Sequence, residues 1–157
     1  MLEFIKDFKS VVIGTIDSEG LAFSSYAPFV YENNKFYIFI SDIAKHSANI
    51  KREEKASLLF IEDESKAQQI FARKRISLQA SSSLVKREEK EFVEVIEKFK
   101  EKFSQGMMNM LLEMSDFNLY TLKVDNGEAT YGFGEAYAIG GENMEELVSR
   151  QGGSEHK

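Results

Sequence analysis

The chain has 157 residues, 43% of them hydrophobic and 13 of them phenylalanine, and 20 basic against 26 acidic side chains leave a net charge of −6. That is enough for one sizeable core and too little for a second. The lack of cysteine excludes disulfides, cysteine-ligated zinc, iron–sulfur clusters and a thiolate nucleophile, and it fits a reducing, cytoplasmic compartment. The negative charge argues against general nucleic-acid affinity, and without an 18-residue apolar run or a signal-type leader neither membrane insertion nor secretion is expected.

Residues 11–16 (VVIGTI) are rich in β-branched side chains and stop at Asp17-Ser18-Glu19-Gly20, a turn whose last residue tolerates positive φ. A second strand over 21–31 is turned by Glu32-Asn33-Asn34-Lys35 into a third over 36–40 (FYIFI), so two hairpins make an antiparallel meander. Ser41 suits a helix N-cap, and Ile43, Ser47 and Ile50 recur at helical spacing. Residues 56–61 (ASLLFI) predict a buried strand, ended by Glu62-Asp63-Glu64 and a brief segment over 67–70. The second half of 71–80 (FARKRISLQA) alternates polar and apolar residues, so this segment too predicts a strand.

The longest helix is predicted over 86–114, with Phe92, Val95, Ile96, Phe99 and Phe103 as its apolar stripe, Glu94 and Lys98 as a solvent-facing pair, and Gly106 as a break. Residues 118–124, an Asp125-Asn126-Gly127-Glu128 turn and residues 129–139 predict a closing hairpin. About seven hairpin-connected strands around two or three helices predict a small antiparallel barrel, mainly β with α decoration. It forms a single domain over 1–139, followed by a flexible glycine-containing tail over 140–157.

Several clusters carry the chemistry. The tail Gly152-Gly153-Ser154-Glu155-His156-Lys157 places one of only two histidines on a mobile end, where neutral imidazole can ligate a metal or a haem iron. On the tail alone, an ordinary disordered end or a tag remnant is the simpler reading. Arg73-Lys74-Arg75 is the densest cationic cluster, and on a strand Arg73 and Arg75 share one face. Two such guanidinium forks suit a flavin phosphate or a pair of haem propionates; the alternative is a solvated face opposite the acidic run.

Ser41-Asp42-Ile43-Ala44-Lys45-His46 opens a helix whose free N–H groups favour an anion, although many short helices begin this way. Ser24-Ser25-Tyr26-Ala27-Pro28 interrupts a strand with small polar residues and the sole proline, which marks either a kinked edge or a place where a planar ligand meets the backbone. Gly132-Phe133-Gly134-Glu135-Ala136-Tyr137 puts two glycines inside a strand, as a bulge or a close approach requires. Met107, Met108, Met110 and Met114 read as packing or interface residues.

This order of elements resembles the split-barrel fold of the pyridoxamine 5′-phosphate oxidase superfamily. Within it, Ser57-Leu58-Leu59-Phe60-Ile61-Glu62-Asp63, Phe71-Ala72-Arg73-Lys74-Arg75, the string from Gly132 to Tyr137 and the glycine-histidine tail resemble the HugZ-type haem-iron utilisation branch, over nearly the whole chain. The resemblance implies a homodimer with its ligand site between subunits. For the haem branch it implies oxygen-dependent cleavage of the porphyrin, with His156 as the iron ligand and Arg73 and Arg75 in the basic part of the pocket. For the flavin members it implies FMN held by Ser25, Tyr26, Ala27, Ser41, Lys45, His46 and Arg73. A haem-binding, haem-degrading oxygenase is the leading expectation; an FMN-dependent oxidoreductase and a non-catalytic haem or flavin carrier are the alternatives.

Overall fold

Six strands close on themselves in the computed structural model, which describes residues 1–141 and 144–150. After a short helix α1 (Leu2–Ile5) the chain forms β1 (Ser10–Ile16), β2 (Ala22–Glu32), β3 (Lys35–Ser41), α2 (Lys45–Glu53), β4 (Lys55–Ile61) and β5 (Arg75–Val85). Helices α3 (Lys90–Lys102) and α4 (Gln105–Glu113) follow, then β6 (Phe117–Thr130), β7 (Ala136–Gly140) and β8 (Glu146–Ser149). The sheet order is β3-β2-β1-β4-β5-β6-β7-β8, all antiparallel, and a β3–β6 pairing shuts the barrel.

Local chemistry sets the first two turns. The Asp17 carboxylate accepts the backbone N–H groups of Glu19 and Leu21, each at 2.9 Å, and Gly20 takes φ +79°. Asn33 and Asn34, at φ +51° and +61°, make the two-residue turn that pairs Glu32 with Lys35.

Two strands divide their edges between partners. Residues 117–122 of β6 pair with β3 while residues 127–130 pair with β7, and β5 runs along the other edge. In β2, residues 29–32 pair with β3 and residues 22–28 pair with β1 alone. Pro28 lies where this change of partner occurs, so its missing N–H disturbs no continuous ladder.

The barrel interior is an apolar cluster in which the Phe60 ring lies 5.2 Å from Phe29, 5.4 Å from Phe36 and 5.6 Å from Phe8. A second cluster forms outside the barrel, where Val30, Tyr37, Phe39 and Leu119 meet Phe92, Val95, Ile96 and Phe99 of α3 and Met108 of α4. Strand β3 is thus buried on both faces, which is why its sequence is an unbroken apolar run.

Tertiary context corrects several sequence expectations. There are eight strands among the described residues rather than about seven, the added one being β8, and Asp125-Asn126-Gly127-Glu128 is not a turn but lies within β6. Gln79 pairs with Asn126 and Ala80 with Val124, so Asp125 is the extra residue of a β-bulge. Gly127 is needed there for space: a Cβ would lie 2.5 Å from Leu78 Cδ2 and 3.0 Å from Ser77 O. The turn falls instead in Gly132-Phe133-Gly134-Glu135, expected inside a strand, where Gly134 has φ +72° and Glu135 N–H donates to Gly132 O.

The helix expected over 86–114 breaks at Phe103 and Ser104, whose hydroxyl accepts Met107 N–H at 3.2 Å, and Gly106 sits in the first turn of α4. Glu94 pairs with Lys90, and Lys98 with Glu101. Ser41 ends β3, and Ala44 is the N-cap of α2. Strand β8 falls inside the segment read as a tail from residue 140 and pairs with β7. Among the described residues no helix is long and apolar enough to cross a membrane.

Candidate functional site

The alternation of β1 puts Val11, Ile13 and Thr15 into the barrel and Val12, Gly14 and Ile16 on the outside. Register carries the outer row across the sheet from Tyr26 through Val12 and Leu59 to Ser77, with Ile61 and Arg75 paired two residues further along β4 and β5. Tyr26 is 68% exposed and Val12 41%, while Leu59 and Ile61 are half-buried. The result is an uncovered apolar strip, narrowed at Gly14, where any Cβ would meet Ser57 Oγ at 2.3 Å, and ending at the exposed guanidinium of Arg75.

Arg73 and Arg75 do not share a strand face. Residues Ile70–Ala72 form a short 3₁₀ turn and β5 begins only at Arg75, so Arg73 belongs to the preceding loop. Its Nε donates to Glu62 O at 3.0 Å, its Nη2 donates to the same oxygen, and its Nη1 lies 3.3 Å from Glu64 Oε1. These bonds tie the two ends of the loop together, beside a cavity of about 680 Å³ lined by Phe4, Phe8, Lys9, Ile61 and Lys66. Arg75 spends one donor on Arg73 O at 3.2 Å.

The other candidates gather near the start of α2. Ser25 Oγ and His46 Nδ1 are 2.8 Å apart, and burial holds the imidazole below its ordinary pKa, so the ring is neutral at pH 7. Lys45 Nζ donates to Asp17 Oδ2 at 3.1 Å and lies 4.9 Å from the Phe23 ring centroid. Backbone N–H donation from Leu21, followed by the Lys45 bond, keeps the Asp17 carboxyl below the usual range. Ser41 turns away and donates to Asp116 Oδ2 at 2.6 Å.

Ser25 and Ala27 face the barrel side of β2, whereas Tyr26 faces outward. The structure therefore joins Ser25 to His46, keeps Lys45 on Asp17, and holds Arg73 in a separate loop beyond β4. His156 lies outside the described residues. The outer strip of Val12, Leu59 and Ile61 was missed, yet a signal exists: residues 11–13 are apolar on both phases of the strand, which demands cover on both faces.

A closed barrel of six antiparallel strands with a few helices packed against it defines a split-barrel protein, and the comparison with known families agrees. The family model described as pyridoxamine 5′-phosphate oxidase matches residues 1–131, and the chain belongs to that family. Within it, the chain is of the HugZ type: it is 34% identical over 151 residues to the heme oxygenase HutZ of Vibrio cholerae serotype O1, covering 96% of this chain and 85% of HutZ. A crystal structure of Vibrio cholerae HutZ, described as a heme storage protein, superposes with a TM-score of 0.78 at 33% identity over 83% of this chain and 93% of that one. Campylobacter jejuni ChuZ gives 0.84 at 33% identity over 95% of this chain, which spans 60% of the ChuZ chain. A heme binding protein from Mycobacterium smegmatis, 18% identical with a TM-score of 0.76, shares the fold.

Proposed function

We propose that this protein binds haem between two copies of itself and degrades it by oxygen-dependent cleavage, as a step in obtaining haem iron. The observation that carries the reading is the 34% identity to a protein named as a heme oxygenase, spread over 96% of the chain. The chain's own residues fit the group. A flat apolar macrocycle needs an uncovered apolar strip, which Val12, Tyr26, Leu59 and Ile61 supply, and its carboxylates need a cation at one end, which Arg75 supplies with most of its donors uncommitted. His156 is the proposed iron ligand; His46 already has Ser25 on Nδ1. The bound haem would supply the oxygen chemistry, and the protein's part is to hold the ring, exclude water from one side and fix its orientation.

A non-catalytic carrier is the second reading, favoured by the description of one HutZ structure as a storage protein. FMN is a third, favoured by the family model. Against it, Ser41, Lys45 and Arg73 each already have a carboxylate partner, Asp116, Asp17 and Glu64, which a phosphate would have to displace.

Absorption titration of the full chain with haemin and with FMN, then reaction with oxygen and a reductant, tests these readings. Arg75→Ala should weaken haemin binding by about 10- to 150-fold, the loss of a charge-assisted bond worth about 1.5–3 kcal/mol. His156→Ala should change the haem spectrum and stop turnover. A protein that takes up FMN and ignores haemin overturns the proposal, and tight haemin binding without cleavage leaves the carrier.

A further inference from the structure

A separate cleft of about 480 Å³ lies between α1, residues 29–32 of β2 and the C-terminal turn of α3, and none of its lining residues belongs to the strip or polar clusters described above. Leu2, Ile5, Val30 and Tyr31 give it an apolar wall. Lys102 enters it from the last turn of α3, donates from Nζ to Phe29 O at 2.7 Å and lies 3.7 Å from the Phe29 ring centroid. An ammonium has three N–H donors, so two remain. Glu101 pairs with Lys98 at 3.3 Å, and among the described residues Lys102 enters no ion pair. Burial pushes its pKa down to about 8, the mark of a cation held without its counter-ion. The other charged groups facing the cleft are Lys6, just after α1 and paired with Glu3, Glu32 from β2, and the Lys98–Glu101 pair of α3, so Lys102 is the cation there that has no carboxylate within ion-pair distance among the described residues.

We propose that this cleft binds an amphipathic monocarboxylate of the medium-chain fatty-acid class, the Lys102 ammonium taking the carboxylate and Leu2, Ile5 and Val30 covering the chain. An apolar body satisfies the wall, and one carboxylate satisfies the half-buried cation. A neutral ligand of the same length leaves the ammonium unpaired, so it binds less well.

The test is calorimetric titration of the full-length protein with octanoate and with octanamide between pH 7 and 9. Octanoate should bind more tightly than octanamide at pH 7, and its affinity should fall about tenfold by pH 9 as the ammonium is lost. Lys102→Arg should retain affinity and lose that pH dependence, whereas Lys102→Met should bind octanoate no better than octanamide. Equal affinity for the two ligands, octanoate binding that ignores pH, or no octanoate binding, each read on the native protein without a variant, overturns the proposal. Haemin titration of the same samples is expected to be unchanged, which separates failure here from failure of the haem reading.

Discussion

Replacing Val12 by glutamate tests the outer strip as the face that joins two subunits. In the free subunit the new carboxylate stands in water, because Val12 is 41% exposed on the outward face of β1 and contributes nothing to the barrel interior. In a dimer closed over this strip it would be flanked in register by Tyr26 and Leu59, neither of them a cation. A carboxylate stranded in this way costs several kcal/mol. The remaining burial of the valine, about two-fifths of a full side chain, contributes about 1 kcal/mol more. A combined loss of about 4–5 kcal/mol weakens association more than about a thousandfold.

Sedimentation velocity across a micromolar concentration series reads the effect, with far-ultraviolet circular dichroism confirming that the barrel remains folded. Ile43→Glu is the control, since Ile43 is 89% exposed in the loop before α2 and away from the strip. The native protein and Ile43→Glu should sediment as dimers and Val12→Glu as a monomer with reduced haemin affinity. A Val12→Glu protein as dimeric as the native one, or a monomeric native protein, refutes the reasoning.

Phe60→Ala empties the centre of the barrel, where the ring is fully buried between Phe8, Phe29 and Phe36, and should cost about 3–5 kcal/mol; urea denaturation measures it, and a loss under about 1 kcal/mol would mean the site is not the core. His46 gives a pH signature: burial lowers its folded pKa, so below about pH 6.5 the unfolded chain binds a proton that the folded chain resists, and stability falls as pH drops. Urea midpoints at pH 7 and pH 5.5 should show a smaller fall for His46→Asn than for the native chain, and identical falls would assign the proton linkage elsewhere.

The meander of β1, β2 and β3 was legible in the sequence because each turn is chemically self-sufficient. Asp17 folds its carboxylate onto its own turn, and Asn33 and Asn34 accept positive φ without outside help. The double-sided burial of β3 was legible as an unbroken apolar run, whereas the contact of Ser25 with His46, from a strand and a helix 21 positions apart, is marked by no local pattern. The neighbourhood of Arg73 and Arg75 was legible as a cationic cluster, but its geometry was not, since the strand start depends on where β4 releases its partner.

The same dependence explains Asn126-Gly127, which carries the strongest local turn signal in the chain and yet lies extended. A turn preference is worth on the order of 1 kcal/mol, whereas a strand laddered along β5 on one edge, and on the other with β3 over residues 117–122 and β7 over residues 127–130, gains more than that in paired backbone groups and absorbs Asp125 as a bulge. Barrel closure by β3 and β6 joins residues some eighty positions apart, so no window of sequence contains it. Local chemistry decided the turns that are self-sufficient, at Asp17 and at Asn33-Asn34; long-range pairing decided which strands share an edge, where the last turns fall, and with that which apolar face is left uncovered.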